Sequence, residues 1–146
     1  MRHFEIKHIS GIMSSSVQSD SDVHISRIDQ TKINEFARMN ARLNDLKELI
    51  KVKENDLRNL EDAVDEIALL DDADPVPYSY GEIFVSCSLD EANGLLEKDK
   101  SRLTDELKLM KSEAGSLLET MSDLKTHLYA KFGDNINLEP DPEDDD

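Results

Sequence analysis

Apolar residues along this chain follow two different periods, separated by a short break. From Phe36, every seventh residue is apolar (Phe36, Leu43, Ile50, Leu57 and Val64), and a second set three residues later reads Met39, Leu46, Lys53, Leu60 and Ile67. Spacing that alternates three and four over more than four heptads predicts a coiled-coil helix, because such residues form one continuous stripe on an α-helix. Lys53 is the one polar seam position. Its aliphatic stem can pack while the ammonium reaches water, or it can set the register of pairing. Glu54 and Arg58, four apart in the favourable order, suit a solvated face.

The period breaks at Asp71-Asp72-Ala73-Asp74-Pro75-Val76-Pro77, where two prolines remove amide donors and fix φ, so the helix is expected to end near Leu70. Val76, Tyr78 and Tyr80 then alternate, Gly81-Glu82 supplies turn chemistry, and Ile83, Phe84, Val85 and Cys87 are mostly β-branched or aromatic. This is a hairpin signal. Ser88-Leu89-Asp90-Glu91 fits a capping box and opens a second helix. Its seam runs through Leu96, Leu103, Met110, Leu117 and Leu124, interleaved with Lys100, Leu107, Ala114, Met121 and Leu128. Phe132-Gly133 marks its expected end, with Gly available for a left-handed cap. Gly94 and Gly115 each cost that helix about 1 kcal/mol relative to Ala, so it depends on a partner to stay formed.

Two seams of nearly equal length, each covering roughly 50 Å at about 1.5 Å per residue, predict a mainly α fold: an antiparallel two-helix coiled coil with a β-hairpin at the connecting end. The expected organisation is a disordered leader over residues 1–28, a domain over 29–138 (helix about 29–70, hairpin about 75–88, helix about 88–132) and an acidic disordered tail over 139–146. The tail either keeps its end of the molecule soluble or screens partners that carry basic segments. Met13 is a possible internal start.

Charge narrows the partners. The 146 residues carry a formal net charge of −16, and 34% are charged against 5% aromatic. Binding to nucleic acid phosphates needs clustered Lys and Arg, so nucleic acid is not an expected partner. Between Arg58 and Lys98 no basic residue occurs, while Glu61, Asp62, Asp65, Glu66, Asp71, Asp72, Asp74, Glu82, Asp90, Glu91 and Glu97 make the middle third purely negative. A lone hairpin is marginal in water, and its open edges invite pairing. Val76, Tyr78, Tyr80, Ile83, Phe84, Val85 and Cys87 are therefore the candidate assembly residues. Identical copies packed around this hairpin would repel one another, which points to different chains with basic residues near it.

Other chemistry finds little footing. Cys87 is the only cysteine, so no internal disulfide is possible, and its thiol reads as packing more readily than as a nucleophile. Asp71, Asp72 and Asp74 lack the spacing of a calcium loop, and the four histidines form no ligand pair at helical spacing. No Ser, His and acid constellation or Gly-rich phosphate loop appears, so neither an enzyme nor a cofactor is expected. No run of about 18 apolar residues predicts a membrane span, and the first residues lack the apolar stretch of a secretory signal. A cytoplasmic location is the expectation.

Beyond this reading, several blocks of residues from near Asp29 onward resemble a known family. The resemblance is carried by Asp29-Gln30 with Ile33, Phe36, Ala37 and Arg38, and by Asn59-Leu60-Glu61-Asp62-Ala63 followed by Asp65-Glu66-Ile67. Pro77-Tyr78, Gly81, Phe84 and Ser86 add to it. The most specific block is Leu128-Tyr129-Ala130-Lys131-Phe132-Gly133 followed by Asn135-Ile136-Asn137-Leu138-Glu139, which coiled-coil periodicity alone does not demand. Together these blocks resemble the β-class subunits of prefoldin, and the resemblance implies a hexamer of two α-class and four β-class subunits whose hairpins close into a β-barrel platform. It further implies capture of unfolded chains, actin and tubulin among them, and their transfer to the cytosolic chaperonin. Carried over by position, the client-facing residues are Ile33, Phe36 and Met39 in the first helix and Leu124, Leu128, Tyr129 and Phe132 in the second. The alternative reading of these side chains is that they simply complete the seam. The alternative from another class is a structural tether, in which the helical hairpin self-associates into a four-helix bundle.

Overall fold

The computed structural model describes residues 25–140. The expected leader lies outside the described residues as far as position 24, as does the acidic tail from position 141 onward. Along the chain run α1 (Arg27–Ile67), β1 (Val76–Tyr80), β2 (Ile83–Cys87), α2 (Leu89–Phe132) and a short 3₁₀ turn, Gly133–Asn135. Among the described residues the fold is mainly helical with one two-stranded antiparallel sheet.

The seam read from the sequence is the buried side of both helices. Phe36, Leu43, Leu46, Ile67, Leu96, Leu103, Leu107, Met121 and Leu128 are buried, and every other seam position is half-buried. Leu109, at 72% exposure, and Val52, at 58%, lie off the stripe and face water. Lys53 resolves as a compromise. Its stem stays half-buried while its ammonium pairs with Glu106 at 2.6 Å.

The chain forms two compact units, one from the described residues up to Asn44 with those from Gly115 on, the other Asp45–Ala114. Within the second unit the helices run antiparallel, because Lys53 pairs with Glu106, Glu54 with Lys111 at 2.6 Å, and Glu61 with Lys100 at 3.8 Å. From Lys53 and Glu54 to Glu61 on α1, the partner on α2 moves back from Glu106 and Lys111 to Lys100. In the first unit the same sense follows from Asp29 pairing with Lys131 and Lys32 lying 2.9 Å from His127.

Helix α1 stops at Ile67, short of the expected Leu70. Ala68 N–H still donates to Val64 C=O, and the two amides after it switch to tighter bonds, Leu69 N–H to Glu66 C=O and Leu70 N–H to Ile67 C=O. The cause is local. No basic residue occupies the last turn, and Asp65, Glu66, Asp71 and Asp72 place negative charge where the helix dipole is already negative. Ser88 begins α2 with a reciprocal cap: Glu91 N–H donates to Ser88 Oγ at 3.3 Å, and Ser88 N–H donates to Glu91 Oε2 at 3.1 Å.

Candidate functional site

The hairpin is held in register by a two-residue turn. Val76 opposes Cys87, Tyr78 opposes Val85, and Tyr80 opposes Ile83, leaving Gly81 and Glu82 at the tip. Gly81 takes φ 62, the left-handed value that the first central residue of a primed hairpin turn requires. Because opposed residues share a face, Val76, Tyr78, Val85 and Cys87 lie on one side, and Pro77, Ser79, Phe84 and Ser86 on the other.

The assembly candidates divide into two groups. Val76 and Cys87 belong to the chain's own core, clustered with Ile67, Ala92 and Leu96 and flanked by Leu60, Val64, Tyr78 and Leu89. The Cys87 thiol is therefore a packing group in this unit. Tyr78 is half-buried, and its hydroxyl donates to the Asp99 carboxylate. That bond favours the neutral phenol, pushing Tyr78 up to about 12. In contrast, Ile83 (63%), Phe84 (76%) and Val85 (46%) are exposed. Each strand has one neighbour, so among the described residues both outer edges keep unpaired backbone groups. Around them Asp71, Asp72, Asp74, Glu82, Asp90 and Glu91 are exposed, with no basic side chain in that stretch of sequence.

The other candidate residues lie in the first unit. Ile33, Phe36, Leu128 and Phe132 are buried to 5% exposure or less, while Met39, Leu124 and Tyr129 are half-buried. Two features of this unit escape the periodicity. Ser26 caps α1: its hydroxyl donates to Asp29 Oδ2 at 2.6 Å, and Asp29 N–H donates back to Ser26 Oγ at 3.1 Å. Asp29, buried at 1% exposure, also accepts from Lys131. The Lys131 and Ser26 bonds hold its carboxyl down at about 2. Ser26-x-x-Asp29 before an apolar stripe is itself a capping-box signal that could have located this start.

The second feature follows α2. Gly133, φ 54, turns the chain back on itself. Ile136 and Leu138 are then buried at 3% exposure each. Leu138 N–H donates to the Tyr129 hydroxyl at 2.8 Å, and Lys125 pairs with Glu139 at 3.1 Å. The alternation of apolar Ile136 and Leu138 with polar Asn137 and Glu139 was the available signal. It was too short to distinguish from a loop.

Among the described residues no group of three or more His, Cys, Asp or Glu side chains is placed to hold a metal, and no helix is long and apolar enough to cross a membrane.

Residues 30–135 match the family described as Prefoldin subunit. The chain is similar to prefoldin subunit 4 of Homo sapiens, 47% identical over 121 residues that cover 82% of this chain and 90% of that protein. It is similar to the probable prefoldin subunit 4 of Drosophila melanogaster, 40% identical with 84% and 88% covered. To prefoldin subunit 4 of Saccharomyces cerevisiae it is 35% identical, with 76% and 86% covered. The crystal structure of the prefoldin beta subunit from Thermococcus strain KS-1 superposes with a TM-score of 0.65 at 20% identity, covering 73% of this chain and 94% of that one, and so shares the fold.

Proposed function

The chain belongs to the prefoldin subunit family, and from that premise we propose that it serves in a cytoplasmic hetero-hexamer that holds unfolded proteins, actin and tubulin among them, and delivers them to the cytosolic chaperonin. Two α-class and four β-class subunits make up the hexamer in this reading, and no enzymatic step is involved. The observation that carries it is the unfinished sheet. Exposed Ile83, Phe84 and Val85 and two strand edges that are unpaired among the described residues need other strands to cover them. The surrounding block of acid selects chains that bring positive charge.

Holding without chemistry requires apolar surface that can be exchanged. A captured segment gains about 25 cal/mol for each Å² of apolar surface it removes from water, so a modest contact gives reversible binding. Ile33, Phe36, Met39, Leu124, Leu128, Tyr129 and Phe132 are the proposed client-facing set. Ends of paired helices open locally at lower cost than the middle, which allows buried side chains such as Phe36 and Leu128 to change partners.

A tether built from a self-associated four-helix bundle leaves the exposed hairpin unexplained and gathers like charge. An aggregation-suppression assay separates the two readings. The chain assembled with its partner subunits should keep chemically denatured actin in solution at near-stoichiometric ratios. Aggregation at the rate of actin alone would favour the tether.

A further inference from the structure

We propose that the strap after α2, Ile136–Glu139, is an internal occupant of a binding groove for extended peptide segments with apolar side chains at positions i and i+2. The inference rests on the client-holding reading and specifies what that site accepts.

Four observations converge on the strap. It is neither helix nor sheet, and Ile136 has extended backbone angles, φ −129 and ψ 141. Its burial alternates, with Ile136 and Leu138 at 3% exposure and Asn137 and Glu139 exposed, which is the period of an extended strand laid on an apolar surface. Among the described residues of this unit the other buried apolar side chains are Ile33, Phe36, Leu43, Met121, Leu128 and Phe132, four of them proposed client contacts. Finally, the Leu138 amide is received by a side chain, the Tyr129 hydroxyl at 2.8 Å. Every non-proline residue of an unfolded chain offers such an amide, so this contact recognises backbone and ignores sequence.

The strap's remaining anchors are polar, with Glu139 exposed and Lys125 and Tyr129 half-buried. Lys125 holds Glu139 at 3.1 and 3.2 Å, and Tyr129 lies 3.4 Å from the same carboxylate. Such a latch is screened by salt and releases readily. A strap that closes the groove nine-tenths of the time weakens capture about tenfold, since only the open fraction binds.

The test uses the assembled complex and a fluorescently labelled peptide with the sequence of residues 134–140 carrying Glu139→Gln, so that the peptide offers Lys125 no carboxylate and loss of that lysine acts on the strap alone. Two variants loosen the strap in different ways: Ile136→Ser with Leu138→Ser removes its apolar anchors, and Lys125→Ala removes only the latch. Both variant complexes should bind the peptide about three- to tenfold more tightly than wild type. A peptide with serine at both apolar positions should bind neither. Denatured actin should compete with the labelled peptide. Equal peptide affinity for wild type and both variants, or no binding to any, overturns the proposal, and Lys125→Ala keeps the test decisive if the double variant does not assemble. Tighter peptide binding without competition by actin would uphold the groove and refute the client-holding reading.

Discussion

Lys131, in the last turn of α2, donates to the carboxylate of Asp29, in the first turn of α1, across 102 positions of sequence. Asp29 is buried and is also bonded to the Ser26 hydroxyl that caps its own helix. One carboxylate thus fixes a helix start and ties it to the end of the other helix.

This arrangement predicts an acid sensitivity with a definite sign. The Asp29 carboxyl is held at about 2 against an ordinary value of 3.8, so folding favours its charged form. The resulting stabilisation is complete above pH 3.8 and is lost as pH falls through about 2. Melting curves of wild type and Asp29→Asn should therefore differ most at neutral pH and converge as pH approaches 2. A gap that stayed constant down to pH 2 would contradict the ion pair.

The cap itself makes a second prediction. Ser26→Ala removes the hydroxyl that receives the Asp29 amide and should cost about 1 kcal/mol, measured by chemical denaturation at neutral pH. Ser26→Asp, which restores an acceptor at the cap, places a second carboxylate beside Asp29 and should recover only part of the loss.

The buried stripe gives a contrast between two leucines six residues apart. Leu103→Ala, at 5% exposure, should cost about 2–5 kcal/mol. Leu109→Ala, at 72% exposure, should stay within about 0.5 kcal/mol of wild type. Unfolding midpoints in urea check both.

Glycine substitutions should move stability in opposite directions. A Cβ at Gly94 or Gly115 meets nothing within 4 Å. Both lie inside α2, so each change to Ala should add about 0.5–1 kcal/mol. Gly133 also has open space, but its φ of 54 disfavours any side chain. Gly133→Ala should lower stability by about 1 kcal/mol and weaken the turn that launches the strap.

Much of this was legible in the sequence, and the reason is periodicity. Phe36 to Ile67 and Leu96 to Leu128 repeat often enough that the buried face of each helix can be read without coordinates. The hairpin was legible because Gly81 sits between two β-rich runs. What periodicity could not show was the division of labour within that hairpin. Val76 and Cys87 complete the chain's own core while Ile83, Phe84 and Val85 stay exposed, since a strand pattern gives alternation and not what covers each face. The pairing of Asp29 with Lys131 was invisible for a different reason: contacts between distant positions leave no local pattern. Ile136 and Leu138 stood out in sequence only through a family resemblance, because two apolar residues are too few to establish a period.

The most direct measurement of the central claim is native mass spectrometry of the purified chain, alone and after co-expression with α- and β-class partner subunits, at low ionic strength. The co-expressed sample should contain a hexamer of different subunits, and Phe84→Ser should remove this chain from it with helical content unchanged. A stable homo-hexamer formed by the chain alone, or full incorporation of the Phe84→Ser chain, would contradict that claim.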